Sequence, residues 1–195
     1  MIFRNKLKGK KIILASNSPR RQALLKELCS EFEIRVKSNI DESFPTDLIR
    51  EEIPLYLSRK KANAYKDELT EDEILITADT IVWLDEKVVN KPTNRADAIE
   101  MIHRLSGNMH EVATGVCLTQ KNDQRCFYAL TKVYFRELMM DEIEYYVDQY
   151  KPYDKAGAYG IQEWIGYVGI TKIEGSYFNV MGLPVQKLYD ELQKI

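Results

Sequence analysis

Most of the residues able to do chemistry fall into three short stretches of the 195-residue chain. The first, Ser16-Asn17-Ser18-Pro19-Arg20-Arg21, is a polar turn between an apolar run and an amphipathic segment. Backbone N–H groups at a helix start favour anions, and two adjacent guanidiniums add permanent charge and forked donors that suit phosphate oxygens. The turn reads as a triphosphate cradle with Ser16, Ser18, Arg20 and Arg21 as its ligands, or as a capped helix carrying two solvated arginines. The second stretch is Asp79-Thr80, after the apolar run of residues 74–78. An acid just past a buried strand stands where open α/β sheets hold their ligands, and it can bind a divalent ion or take a proton from water. Asp79 is therefore the candidate general base and metal ligand; an ordinary turn aspartate is the competing reading.

The third stretch is Asp154-Lys155-Ala156-Gly157-Ala158-Tyr159-Gly160-Ile161-Gln162. Its small residues permit close backbone approach to a ligand, and Gln162 can both donate and accept toward a base edge, although glycines also make plain loops. Lys61 and Lys91 are mobile point charges able to neutralise a phosphate or a pyrophosphate leaving group, or simply to lie at the surface. Glu42, beside Asp41, can give a metal its second oxygen or stand solvated. His103 and His110 are too isolated for a metal or nucleophilic site and read as structural. There is neither a Ser-His-Asp arrangement nor a Walker-type glycine loop, which sets aside acyl transfer and P-loop chemistry.

The elements that must position these groups follow from periodicity. Residues 12–15 form a buried strand; Ser18 caps and Pro19 opens the helix that carries Leu24, Leu25 and Leu28 on one face. A polar loop over residues 41–47 precedes a helix over residues 54–69. Residues 74–78 read as a strand ending at Asp79, continued in extended form through 81–84 into a hairpin at Asp85-Glu86-Lys87. A helix spans residues 94–105, with Asn94 as cap and Gly107 as stop. Extended runs at 112–118 and 126–135 pair antiparallel across a polar turn. Asp141 and Glu144 form a capping box for a helix to Tyr150, residues 164–173 read as a glycine-containing strand, and Val185, Leu188, Tyr189 and Leu192 mark a final helix. Strand-helix units beside hairpins imply an α/β fold with a mixed sheet, in one domain over residues 1–195.

Composition narrows the partners. Hydrophobic residues make up 45% and charged residues 30%, as in ordinary globular proteins, and 28 basic against 30 acidic residues give a net charge of −2. No bulk field exists to hold a nucleic-acid backbone, so a polyanion needs a local cationic pocket. Cys29, Cys117 and Cys126 show no metal-ligand spacing and are expected as buried thiols in a reducing compartment. The apolar run after the basic start is too short for a signal peptide, and no stretch approaches the roughly 18–20 apolar residues of a membrane span; the expected location is the cytoplasm.

Taken together, the stretches resemble the Maf family of nucleotide pyrophosphatases over nearly the whole chain. The likeness rests on Leu14-Ala15-Ser16-Asn17-Ser18-Pro19-Arg20-Arg21, Ala78-Asp79-Thr80, Lys91-Pro92, Leu105-Ser106-Gly107 with His110, residues 154–162, Gly175-Ser176-Tyr177 and Asn179-Val180-Met181-Gly182-Leu183-Pro184. It implies an elongated mixed sheet flanked by helices with a deep central cleft, related in shape to inosine triphosphate pyrophosphatases. It further implies cytoplasmic hydrolysis of a nucleoside triphosphate to monophosphate and pyrophosphate with magnesium or manganese, and a homodimer. By the same resemblance Asp79 is the base, Arg20, Arg21, Lys61 and Lys91 serve the phosphates, Glu42 is an acidic cleft residue, and Arg20, Thr80 and Gln162 bear on base choice. The form with Gln162 resembles the branch acting on dTTP and UTP rather than on 7-methyl-GTP; a nucleotide-sensing regulator of cell division that binds without turnover is the alternative from another class. Two departures from the family pattern are Asn90 before Lys91-Pro92 and Glu163 after Gln162, where glycines are common; Glu163 is expected to place a charge near the base pocket.

Overall fold

The chain alternates strands with amphipathic helices, and three long strands stand side by side in the middle of the sheet. The computed structural model describes Leu7 and residues 9–195, so most of the basic start of the chain lies outside it. In chain order the elements are β1 (Lys11–Leu14), α1 (Pro19–Leu28), β2 (Glu33–Ile34), α2 (Glu52–Asn63), a three-ten turn (Lys66–Glu68), β3 (Glu73–Leu84), β4 (Lys87–Val89), α3 (Arg95–Leu105), β5 (Met109–Thr119) and β6 (Gln124–Phe135). They continue as α4 (Met140–Tyr150), a second three-ten turn (Ala156–Ala158), α5 (Trp164–Gly169), β7 (Ile170–Glu174), α6 (Tyr177–Met181) and α7 (Val185–Leu192).

The strands form one seven-stranded sheet in the order β2-β1-β3-β5-β6-β7, with β4 also paired to β3. β1 runs parallel to β2 and β3, and the other pairings are antiparallel, which is the mixed α/β sheet expected. None of the helices is long and apolar enough to cross a membrane, among the described residues.

Alternation along β3 sorts its side chains between the helical layers. Ile74, Ile76 and Ala78 pack with Leu24 and Leu25 of α1 and Leu188 and Leu192 of α7. Ile81, on the opposite face, packs with Ile53 and Leu57 of α2. Further along, Val82 and Leu84 join Ala98 and Ile102 of α3 and Ile143 and Tyr146 of α4. α2 lies close on the sheet because Gly115 of β5 has no side chain: a Cβ there would stand 2.3 Å from the Pro54 carbonyl oxygen.

Several local expectations change. β3 does not stop at Asp79 but runs unbroken for 12 residues, with Asp79 opposite Gly115 and Thr80 opposite Thr114. The helix expected over residues 54–69 begins at Glu52 and ends at Asn63, after which the chain bends so that Tyr65 and Leu69 bury against Ile13 and Leu75. α4 starts at Met140, and its cap comes from Glu142, whose carboxylate accepts the Met139 N–H at 2.9 Å, not from Asp141 and Glu144. Residues 164–173 divide into α5 and β7 instead of one strand; Gly166 permits the tight entry, because a Cβ there would lie 1.9 Å from the Ile161 carbonyl oxygen. Cys117 and Cys126 are joined in a disulfide rather than left as thiols, since the β5–β6 register sets them directly opposite. Cys29 is the free, buried thiol, and burial pushes its pKa up to about 11.

The close seat of α2 generates a prediction. Gly115→Ala must push α2 off the sheet, and overpacking of this kind costs about 2–3 kcal/mol. Thermal denaturation should show the midpoint lowered by roughly 5–10 °C for a chain of this size; a midpoint equal to the parent's would refute the contact.

Candidate active site

The site forms where strand pairing on one edge of β3 is interrupted. β1 pairs with β3 only as far as Leu14 opposite Ile76, and β4 takes up the same edge again at Val82 opposite Val89. Residues 77–81 are left without a strand neighbour on that side. The chain leaving β1 makes one more bond, from Ala15 N to Ile76 O at 2.9 Å, and then turns away into α1. Buried backbone acceptors need partners, and the Ala78 carbonyl finds one in Arg21, whose Nη1 donates to it at 2.8 Å.

A cleft of about 540 Å³ opens there, and every residue singled out above for catalysis, substrate or metal lines it. On one wall, Ser16 is buried and its Oγ accepts the Ser18 N–H at 3.2 Å, which shapes the turn. Ser18 caps α1 by accepting the Arg21 N–H, and Pro19 occupies the first turn. The positive end of α1 therefore points into the cleft region, a site that favours an anion.

Alternation sends the neighbours Asp79 and Thr80 to opposite faces. Thr80 Oγ1 faces α1, accepting from Arg21 Nη2 at 3.0 Å and lying 3.0 Å from Thr114 Oγ1. Arg21 Nε donates to Gly182 O at 2.8 Å, so this guanidinium ties α1, β3 and the end of α6 together. Burial draws the Arg21 pKa below its ordinary value, with partial compensation from Asp79. The sequence assigns both arginines to phosphate; three of the five Arg21 donors are engaged in the wall. Asn179 supports the same corner: fully buried, it donates to Val112 O and Thr131 Oγ1, each at 3.0 Å.

Asp79 faces α2. Its Oδ1 accepts from Lys61 Nζ at 2.6 Å, and the same ammonium lies 2.7 Å from Glu42 Oε1. Burial raises the Glu42 carboxyl, but its bond to Lys61 and the charges of Lys61, Lys91 and Arg21 outweigh that and leave the pKa below the usual value. Lys91 is exposed and has no ion pair among the described residues. No three His, Cys, Asp or Glu side chains converge on a metal position among the described residues. The chain offers the carboxylates of Asp79 and Glu42, hard oxygen donors already gathered around one cation. That set suits magnesium or manganese, which commonly take one or two carboxylates and complete their shell with substrate phosphate and water.

The far wall is the segment 154–162. Arg20 Nη1 reaches across to Asp154 Oδ2 at 2.9 Å, and Asp154 Oδ1 accepts from Lys155 Nζ at 2.8 Å. Burial raises Asp154, and the two cations more than reverse it. Lys155 also lies 3.1 Å from Glu163, which accepts the Tyr146 hydroxyl, while Tyr146 in turn accepts the Gly160 N–H at 2.9 Å. The Glu163 charge is thus neutralised behind the wall and does not enter the cleft. Gln162 lines the cleft with its Oε1 buried and unpartnered. Asp154, Lys155 and Asn179 received no individual role from the sequence; the first two lay within a stretch flagged for its small residues. Of the histidines, His110 is buried with Nε2 2.7 Å from the Tyr159 hydroxyl, the structural role expected, whereas His103 is exposed on α3.

Two predictions follow from these contacts. Arg21→Lys should lower the unfolding free energy by about 2–3 kcal/mol, because three acceptors, two of them buried carbonyls, lose their fork. Arg20→Lys, whose partner Asp154 is 59% exposed, should cost under about 1 kcal/mol; equal costs in denaturant titrations would contradict the division of labour. The second concerns pH. Burial lowers His110 from 6.5 to about 3, so the unfolded chain binds a proton that the folded chain refuses between those values. The His110 contribution is intact above about pH 6.5 and is lost as pH falls, by roughly 1.4 kcal/mol per unit. His110→Gln should flatten the stability slope between pH 6.5 and 5, and an unchanged slope would exclude a neutral buried imidazole.

Comparison with known proteins supplies the family. Residues 11–195 match the family described as Maf-like protein. The dTTP/UTP pyrophosphatase of Parabacteroides distasonis is 57% identical over 187 residues, covering 96% of this chain and 97% of that protein. The dTTP/UTP pyrophosphatase of Flavobacterium johnsoniae is 51% identical over 191 residues, covering 98% of each. Among solved structures, the Staphylococcus aureus Ham1 protein gives a TM-score of 0.43 at 14% identity, covering 65% of this chain and 72% of that one. A match over this length, at this identity, and with the cleft-lining motifs in order means that the chain belongs to the Maf family.

Proposed function

We infer that this chain is a nucleoside triphosphate pyrophosphatase that hydrolyses dTTP and UTP to the monophosphate and pyrophosphate. The observation that carries the reading is one cleft lined by the cationic start of α1, the Asp79 carboxylate and the unpartnered Gln162 amide. The names of its relatives point the same way.

Each group has a part suited to its chemistry. The positive end of α1 and Arg20 hold the phosphate chain, and Arg21 fixes the wall on which Thr80 stands. Asp79 Oδ1 accepts from Lys61 before substrate and cation arrive, and the carboxylate is the acceptor for a proton of the attacking water. Attack at the α-phosphorus breaks the α–β anhydride, and Lys61 and Lys91 offset the charge that grows on departing pyrophosphate. Asp79 and Glu42 are the residues that would hold magnesium or manganese, whose chemistry there is neutralisation of phosphate oxygens. The Gln162 carboxamide carries a donor and an acceptor, which complement the imide edge of uracil or thymine. The proposed place of action is the cytoplasm.

The test is pyrophosphate release from dTTP, UTP and 7-methyl-GTP, with and without magnesium or manganese. Cation-dependent turnover of dTTP and UTP is expected, and Asp79→Asn should lower it by about 10²–10⁴-fold. Binding of dTTP without pyrophosphate release would mark a nucleotide sensor, preferred turnover of 7-methyl-GTP would mark the other branch of the family, and a near-parental Asp79→Asn rate would remove the base assignment.

A further inference from the structure

Lys61 is placed more elaborately than a phosphate ligand requires. It stands in the last turn of α2, where the carbonyl end of the helix favours a cation. Its ammonium contacts Asp79 Oδ1 at 2.6 Å and Glu42 Oε1 at 2.7 Å, with Lys61 and Asp79 only 15% and 14% exposed. These are the same oxygens that suit a divalent ion, and among the described residues no third acid joins them. We propose that Lys61 is the resident counter-ion of the Asp79–Glu42 pair and competes with the divalent cation for it. Entry of that cation then releases the ammonium toward the phosphates. This rests on the cation-dependent reading above.

Charge counting supports competition over coexistence. Two carboxylates with Lys61 carry one net negative charge, and a divalent ion in its place makes the group neutral. Keeping both cations would leave a net positive charge beside Lys91 and Arg21, which already act on Glu42. Only a polyanion arriving with the ion relieves that repulsion. Lysine has the flexible four-carbon stem needed to swing between two sets of oxygens, which an arginine fork lacks. The nucleotide-free protein should consequently bind the cation weakly, and substrate should bring it in.

The competition has a rival with the opposite sign. Glu42 is 56% exposed in an irregular loop, and Lys61 could serve only to gather it to Asp79. Titration of nucleotide-free protein with Mn²⁺, followed by electron paramagnetic resonance, separates the two. If Lys61 competes, Lys61→Met binds Mn²⁺ about tenfold more tightly than the parent while turning over dTTP more slowly. Lys61→Arg, which keeps the charge, retains the parental affinity, and Asp79→Asn in the Lys61→Met background abolishes the gain. Equal or weaker Mn²⁺ binding by a folded Lys61→Met protein, or no detectable binding by either protein, overturns the proposal. Parental dTTP turnover, measured alongside, reports on the hydrolase reading separately: its absence removes that reading, whereas an unchanged Mn²⁺ affinity with turnover intact removes only the competition.

Discussion

Residues 77–81 of β3 have a strand partner on one side and none on the other, and that gap decides where everything else stands. A backbone edge exposed in the middle of a buried strand must be satisfied by something other than a strand. Here the Arg21 guanidinium supplies a donor to Ala78 O, and in doing so draws the start of α1 against β3. The helix start cannot move away without leaving that carbonyl unpaired. The cationic turn and the central acid are therefore held in one cleft by the requirement that buried polar groups find partners.

The period of a strand does the remaining division. Consecutive side chains point to opposite faces, so Thr80 belongs to α1 and α6, and Asp79 belongs to α2. The bare backbone of Gly115, directly opposite Asp79, lets α2 approach closely enough for Lys61 to reach the carboxylate. Packing under the helix and electrostatics above it are two consequences of one register. The far wall is fixed by alternating charges running from Arg20 through Asp154 and Lys155 to Glu163, and these leave the Gln162 amide unpaired at the cleft.

Much of this was readable in the residues. The Ser-Pro-Arg-Arg sequence after an apolar run announced strand, turn and capped helix because each residue there has a strong local preference. α3 and α7 announced themselves through periodicity. Other features depended on contacts between segments remote in sequence. Two polar residues at 79 and 80 read as a strand end, since nothing local says that their edge is satisfied by an arginine some sixty positions earlier. The disulfide follows from the β5–β6 register, which places Cys117 and Cys126 opposite one another. α5 reads as a strand in sequence because Gly166 and Gly169 weaken a helical signal; Gly166 is required by its closeness to the Ile161 carbonyl oxygen, a tertiary fact. Glu163 reads in sequence as a charge for the base pocket, whereas Lys155 and Tyr146 engage it.

The most direct test of a nucleotide lying along the open edge of β3 is a crystal structure with a non-hydrolysable α,β-imido analogue of dTTP and magnesium. The expected result has the α-phosphorus beside Asp79, the phosphate chain against the start of α1 and Arg20, and the pyrimidine edge on Gln162. An analogue bound elsewhere on the molecule, or bound in the cleft with its α-phosphorus remote from Asp79, would contradict the assignment.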